Sequence, residues 1–318
     1  MKKVLVTLPL ETKHKEQLLA AGAGCEMNFC DLAEVTGEDI ASADILIGNV
    51  PAGMIGGAPN LEWVQLGSSG ADAYVKPGVL HPDTKLTNST GAYSQAVAEH
   101  ALAATMMLQK NLHLYRDNQL AARWQESGYV TSIADAAVAV IGLGEIGLHY
   151  AHMAKALGAY VMGVKRRPGP CPECVDELFL MDGLDEALRR ADVVFTVLPE
   201  TPATHHLFTA EKFDIMKDSA IFINCGRGGA VAEDVLYDAL ATGKIAAASI
   251  DVAEREPLPA DSPLWALPNL FITPHVSGDF HLRQTHDRVV SIAAENLRRY
   301  LCGEELMNPV DFQTGYRK

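Results

Sequence analysis

No stretch of this sequence reaches the roughly 18 apolar residues that a membrane-crossing helix needs. The opening Met1-Lys2-Lys3 and the apolar Val4 to Leu10 are too short for a signal peptide. That stretch contains Pro9 and runs into charged Glu11 to Lys15, so a first β-strand and a cytoplasmic location are expected. Positive charge is also scarce. Twenty-six basic residues face 40 acidic ones, for a net charge of −14 and a pI near 5.2. Nucleic acid and anionic membranes are poor partners for such a surface, and any anionic ligand must meet local positive charge. Cysteine is sparse: six in the chain, too few for a disulfide scaffold. Cys171-Pro-Glu-Cys174 is a lone CxxC with no second ligand pair at similar spacing, so no metal is expected and both thiols read as incidental loop residues. Internal repeats and low-complexity segments are absent as well.

What is present is an ordinary globular composition, 48% hydrophobic and 21% charged, over 318 residues. That length exceeds what one core usually serves, so two domains are expected. Short apolar runs at Val4–Leu8, Ile45–Gly48 and Leu61–Leu66 alternate with a helix signal at Lys13–Ala21, the pattern of parallel βαβ units. A long helix signal runs from Ser94 past Tyr115, ends before Gly128 and is long enough to link two domains. From Ala136 the rhythm becomes regular. Apolar runs at Ala137–Ile141, Tyr160–Val164, Val193–Leu198, Ala220–Ile223, Ile245–Ile250 and Leu270–Ile272 are mostly separated by helix signals, as in a doubly wound parallel sheet. A last amphipathic helix spans about Leu282 to Leu301, with Gly303 as its stop, and can carry the chain back to the first domain. The expected architecture is a Rossmann domain over 99–287, inserted into a smaller flavodoxin-like α/β domain made of 1–98 and 288–318.

Gly142-Leu-Gly144-Glu-Ile-Gly147 follows an apolar strand and opens a helix, the context in which GxGxxG binds a dinucleotide. Gly142 permits the tight turn, Gly144 lets a pyrophosphate approach the backbone, and Gly147 lets helix and strand pack closely. The second strand of such a unit usually ends on a carboxylate that holds the ribose 2′-hydroxyl. Here it ends Lys165-Arg166-Arg167, which predicts a 2′-phosphate site and NADP, with NAD as the second choice.

Three later motifs also follow apolar strands: Asn224-Cys-Gly-Arg227-Gly-Gly, Asp251-Val-Ala-Glu-Arg-Glu256-Pro and Thr273-Pro-His275-Val-Ser-Gly278. Reducing a ketone by hydride needs a proton donor at the developing alkoxide and gains from a guanidinium that orients an α-carboxylate. A carboxylate behind the imidazole fixes its tautomer and favours its charged form. His275, Arg227 and Glu256 fit these three tasks. Singly, each reads more simply as a loop histidine, a surface ion-pair residue and a strand end; jointly, they read as a catalytic set.

These motifs, in this order, with Leu198-Pro199-Glu-Thr-Pro-Ala-Thr204 and Pro263-Leu-Trp265 between them, resemble the D-isomer-specific 2-hydroxyacid dehydrogenase family from about Ala92 onward. The first ninety residues match more loosely, through Leu66-Gly-Ser-Ser-Gly-Ala-Asp72 and Thr87-Asn-Ser-Thr-Gly91. The resemblance implies that Arg227 grips the substrate, that His275 is the general acid in reduction and that Glu256 is its partner. It also implies substrate-carboxylate contacts from amides near Ser69 and Gly70, and pyrophosphate contacts from amides of Glu145 and Ile146. Leu198 and Pro199 would flank the adenine, Thr204 would sit near phosphate or ribose, and Cys225, Gly226 and Asp251 would line the nicotinamide. His275 and Gly278 of the last motif are counted with the cofactor contacts. A homodimer and a 2-keto or 2-hydroxy acid substrate are implied too. Two departures stand out: Ser132-Ile-Ala-Asp-Ala-Ala lacks the family's usual Gly-Lys-Thr turn, and cations replace the usual strand-end aspartate.

A formate dehydrogenase of the same superfamily is the nearest rival enzyme, but there a glutamine replaces the carboxylate that Glu256 supplies. A rival of another class is a cofactor-sensing regulatory protein of this fold, which turnover of a keto acid distinguishes. The motifs leave open which 2-hydroxy acid is the substrate.

Overall fold

The computed structural model describes residues 1–56 and 58–313. The chain forms two compact units, Met1–Tyr93 with Phe280–Lys318 and Ser94–Asp279. Each is an α/β unit built on a wholly parallel sheet.

The first unit contains β1 (Lys3–Val6), α1 (Thr12–Ala21), β2 (Glu26–Phe29), α2 (Gly37–Ser42), β3 (Ile45–Ile47), α3 (Ala52–Ile55), β4 (Trp63–Gln65), β5 (Lys85–Thr87) and the closing helix α10 (Arg283–Cys302). Its strand order, β2-β1-β3-β4-β5, is the flavodoxin-like one. Side chains alternate across the sheet. Leu5, Leu46, Val64 and Leu86 join Ile40 and Ile55 in one core, while Val4, Val6, Ile45, Ile47 and Trp63 join Leu18, Val289, Val290 and Leu297 in the other. Gly303 ends α10 in a left-handed conformation at φ 71°, as its sequence position suggests.

The second unit begins with α4 (Ser94–Gln109) and α5 (Leu112–Leu120), then β6 (Ala137–Ile141), α6 (Glu145–Ala156), β7 (Tyr160–Lys165), β8 (Glu177–Leu180), α7 (Leu184–Arg190) and β9 (Val193–Thr196). It continues through α8 (Ala210–Asp214), β10 (Ile221–Asn224), α9 (Glu233–Ala241), β11 (Ala247–Ile250) and β12 (Leu270–Ile272). The order β12-β11-β10-β9-β6-β7-β8 is the Rossmann winding with one further strand, and it reverses direction between β6 and β9. The inner strands are buried on both faces, which is why they read as unbroken apolar runs.

Three sequence expectations are corrected. The single long helix is two helices, broken at Asn111, which takes a left-handed φ of 55°. Asparagine tolerates that conformation, and its side-chain amide donates to the carbonyls of Ser127 and Tyr129 at 2.9 and 3.1 Å, anchoring the returning chain. Nor does α4 link domains. It belongs wholly to the second unit, where Thr105 bonds the buried Tyr150 of α6 at 2.9 Å. The unit breaks accordingly fall at 93/94 and 279/280 rather than 98/99 and 287/288, because α4 and α10 each stay intact within one unit. Among the described residues no helix is long and apolar enough to cross a membrane.

Candidate functional site

The site in the second unit is assembled from loops at the carboxyl ends of β6, β7, β9, β10, β11 and β12. In the first loop, Gly142 adopts φ 104° and its amide donates to Val164 O at 3.0 Å. A Cβ on Gly147 would stand 2.0 Å from the Gly142 carbonyl, so only glycine lets α6 start this close to β6. A Cβ on Gly144 would meet nothing within 4 Å: open space lies beside this turn. The amides of Glu145 and Ile146 open α6 and have no intrahelical partner, as at any helix start. Open space, unpaired amides and the positive end of the helix dipole suit a pyrophosphate. The residues present therefore fit a bound dinucleotide.

β7 ends at Lys165. Its ammonium is turned back onto Pro170 O at 3.0 Å, whereas Arg166 and Arg167 are exposed and make no hydrogen bond or ion pair among the described residues. Among the three cations, these two guanidinium groups are the ones left to meet a ligand. The CxxC lies in the same β7–β8 connection. Both cysteines are free, their thiols bonding the carbonyls of Val175 and Leu148, and burial pushes the Cys174 thiol up. Among the described residues no group of histidine, cysteine and carboxylate side chains could hold a metal ion.

After β9, Leu198 is buried and Pro199 half-buried; the Leu198 side chain lies beside Gly142. The Thr204 hydroxyl is engaged in its own turn, donating to Pro199 O at 2.6 Å and accepting from the Thr201 amide at 2.9 Å. After β10, Asn224 is buried and clamps the next three residues. Its oxygen accepts from the Gly226 amide at 3.0 Å and its amide donates to Arg227 O at 3.1 Å. A Cβ on Gly226 would lie 2.6 Å from backbone atoms of Leu198, and one on Gly228 1.9 Å from Ala253 O. Glycine at both positions lets three neighbouring loops touch through their backbones. Arg227 is half-buried, with one guanidinium nitrogen on Gly226 O at 2.9 Å. The adjacent Cys225 thiol is pushed far up by burial first and by the Asp251 carboxylate second.

Asp251 is buried at the end of β11. Its carboxylate accepts from the Thr273 hydroxyl at 2.6 Å, from the Val276 and Ser277 amides at 3.0 Å each, and from the Ser277 hydroxyl. Its carbonyl accepts from the His275 amide at 2.7 Å. The loop is thus tied down around His275, whose left-handed φ of 55° is rare for a residue with a side chain. Gly278 lies in the turn that closes the loop. Glu256 bonds the Ala253 amide through Oε1 at 3.0 Å and His275 Nδ1 through Oε2 at 2.8 Å. An ionised carboxylate at Nδ1 holds the proton there and leaves Nε2 as the nitrogen that exchanges protons with a ligand. The two side chains remain 52% and 40% exposed, so a ligand can reach them.

In the first unit, the loop after β4 is pinned by Asn49, whose oxygen accepts from the amides of Gly67 and Ser68 at 2.8 and 3.2 Å. Asn88 holds Ser69 O at 2.7 Å. The amides of Ser69 and Gly70 have no partner among the described residues and stand as two adjacent donors at a strand's carboxyl end.

The structure brings Glu256 to His275 and places Arg227 in a neighbouring loop. Sequence reasoning missed the clamps. Asn224 and Ser277 lie inside motifs singled out for other residues, and Asn49 lies in the loosely patterned first ninety residues, where only its position after an apolar run marks it.

Comparison with known proteins agrees with this geometry. The family model described as D-isomer specific 2-hydroxyacid dehydrogenase, NAD binding domain, matches residues 102–277. A crystal structure of a D-isomer specific 2-hydroxyacid dehydrogenase family protein from Aeromonas salmonicida is 34% identical and superposes with a TM-score of 0.88, over 98% of this chain and 99% of that one. One from Xanthobacter autotrophicus, solved with NADPH and MES, is 30% identical with a TM-score of 0.83, over 99% of both chains. The glyoxylate/hydroxypyruvate reductase B of Escherichia fergusonii is 33% identical over 284 residues, 87% of each chain. By motif, fold and sequence likeness alike, this chain belongs to the D-isomer-specific 2-hydroxyacid dehydrogenase family.

Proposed function

We propose that this protein reduces a small 2-keto acid to the D-2-hydroxy acid, with NADPH preferred over NADH. The observation that carries the reading is the His275–Glu256 hydrogen bond of 2.8 Å, beside a loop that presents Arg227. The reduced nicotinamide, when bound, supplies hydride to the keto carbon. His275 Nε2 gives a proton to the keto oxygen as charge develops there, and Glu256 stabilises the imidazolium. Arg227 pairs with the substrate carboxylate through its planar fork and so orients the carbonyl. Gly142, Gly144 and Gly147 with the Glu145 and Ile146 amides receive the pyrophosphate, and Leu198, Pro199, Thr204, Cys225, Gly226, Asp251 and Gly278 line the remainder of the cofactor site.

The cofactor preference rests on Arg166 and Arg167, exposed cations without a partner among the described residues, on an acidic protein, where a ribose-binding carboxylate would repel a 2′-phosphate. The substrate class draws on the name of the Escherichia fergusonii relative, a glyoxylate/hydroxypyruvate reductase. A homodimer is part of the proposal. Leu120 at 69% exposure and Trp124 and Tyr129, both fully exposed, put apolar surface on the α5 end and the extended chain beyond it, which a second copy would cover.

The test is loss of NAD(P)H absorbance with glyoxylate, hydroxypyruvate, pyruvate and larger keto acids, for wild type and Arg166→Ala. The expected result is turnover with higher kcat/KM for NADPH, and a smaller preference in Arg166→Ala. Tight cofactor binding with no turnover of any keto acid sinks the enzymatic reading. Equal kcat/KM for both cofactors sinks the NADPH assignment.

A further inference from the structure

The second unit holds a cluster of two histidines and two glutamates that the reading above leaves unused. Glu200 and His205 bond at 2.7 Å (Oε1 to Nδ1), and Glu254 and His206 bond at 2.7 Å (Oε1 to Nε2). The two imidazoles stack with centroids 4.0 Å apart and planes 22° apart. The second oxygen of Glu254 accepts from the Glu233 amide at the start of α9, at 2.9 Å. His206 holds a left-handed φ of 49°.

The cluster's backbone shows what it joins. His206 N donates to Gly229 O at 2.7 Å and Phe208 N to Ala230 O at 3.0 Å, so the chain at 206–208 is bonded directly to the loop that carries Arg227. Glu254 lies two residues before Glu256, and the Ala253 amide holds the Glu256 carboxylate at 3.0 Å. The two loops already touch, since Gly228 has no room for a Cβ against Ala253 O. A bare backbone contact resists compression but does not hold the loops together. Side chains supply the attraction: Glu254 bonds both His206 and the Glu233 amide, and Arg255 pairs with Glu233 at 3.7 Å.

We propose that His206 and Glu254 are positioning residues for the reaction: their hydrogen bond ties the Arg227 loop to the Glu256 segment and fixes the spacing of guanidinium and imidazole on the substrate. Burial works against the Glu254 charge, yet the Glu233 amide and the His206 imidazole hold its carboxyl below the usual range, so it stays a charged acceptor at neutral pH. Side chains of Glu200 and His205 buttress the pair from the far side of the stacked rings.

This inference rests on the proposed keto-acid reductase, and two readouts keep them separable. His206→Asn tolerates the left-handed backbone but cannot reach Glu254. In the keto acid that wild type turns over fastest, it should lower kcat about tenfold and raise the keto-acid KM, because small misplacements of orienting groups are costly. NADPH affinity, read by fluorescence titration, should not move. Glu254→Ala, which also loses the Glu233 amide bond, should cost at least as much, and the double variant should be no worse than Glu254→Ala alone, since Glu254→Ala already removes the bond to His206. Glu254→Gln keeps an acceptor for the Glu233 amide and should recover part of the loss. Independently of turnover, hydrogen exchange at the amides of 253–256 should speed up in His206→Asn while β6 stays unchanged. Wild-type kcat and KM in His206→Asn, losses that multiply in the double variant, or unchanged exchange at 253–256 would each overturn the proposal. If wild type reduces no keto acid, the reductase reading falls while the exchange experiment still decides the tie.

Discussion

His275 can present Nε2 to a ligand because its other nitrogen is occupied by Glu256 and its backbone is held by Asp251. Removing the imidazole in His275→Ala should cost on the order of 10²–10⁴-fold in kcat with little change in cofactor affinity, the usual contribution of a positioned acid. Near-wild-type turnover removes His275 from the mechanism. Glu256→Gln keeps the shape and removes the charge, so it should lower kcat for reduction and move the pH–rate profile to lower pH. A profile that stays in place, with chemistry rate-limiting, would separate Glu256 from the proton step. Arg227→Lys should raise KM and cut kcat together, since an ammonium cannot reproduce the planar fork. Arg227, Glu256 and His275 can be picked out from sequence because each follows an apolar strand, where parallel sheets present their ligands. The holding roles of their neighbours are not legible in the same way, although Asn224 and Asp251 also follow apolar strands. Asn224, Asp251 and Glu254 act through hydrogen bonds whose partners are set by loop conformation rather than by spacing.

Among the elements, the strands buried on both faces announce themselves, as does the edge strand β12 with its apolar Leu-Phe-Ile, whereas the other edge strands do not. β2 (Glu-Met-Asn-Phe) and β5 (Lys-Leu-Thr) lie at sheet edges, are mixed in character and form no apolar run, and β8 (Glu-Leu-Phe-Leu) is a short edge strand that is half-exposed throughout. The α4–α5 break is hidden for another reason: Asn111 is an ordinary helix residue until its side chain captures the returning chain. The closing helix α10 is legible end to end, and its electrostatics give a prediction. Lys13 first and His14 second hold the Asp287 carboxyl down to about 2, and Arg298 and Arg299 hold Glu295 at about 2. For a carboxylate depressed in the folded state, the stabilisation is complete above its unfolded value and is lost as pH falls through the folded one. The contributions to α10 should therefore be intact above about pH 4.5 and fade toward pH 2. Thermal melts should show Asp287→Asn less stable than wild type at pH 7, with the gap closing as pH falls below 4. A gap independent of pH would mean that the Lys13 and His14 contacts do not stabilise the fold.

For the whole molecule, two sheets with every strand parallel were foreseeable from alternation alone, whereas the breaks between units were not, because a helix signal does not reveal which core receives it. Assembly belongs to this scale too. If a second copy covers the exposed Trp124 and Tyr129, sedimentation should report a dimer, and Trp124→Glu should shift it toward monomer. A wild-type monomer at micromolar concentration would discard that surface as an interface. Parallel winding has one more consequence. Every residue assigned a chemical task in the second unit sits where strands end, so the turns where strands begin are spared. The connection from α9 into β11 is such a turn, with Gly243 at φ 72° and open space around it. A label, an affinity tag or a short inserted peptide at residues 242–244 would ride on this face as a passenger, leaving the chemistry to proceed at the opposite rim.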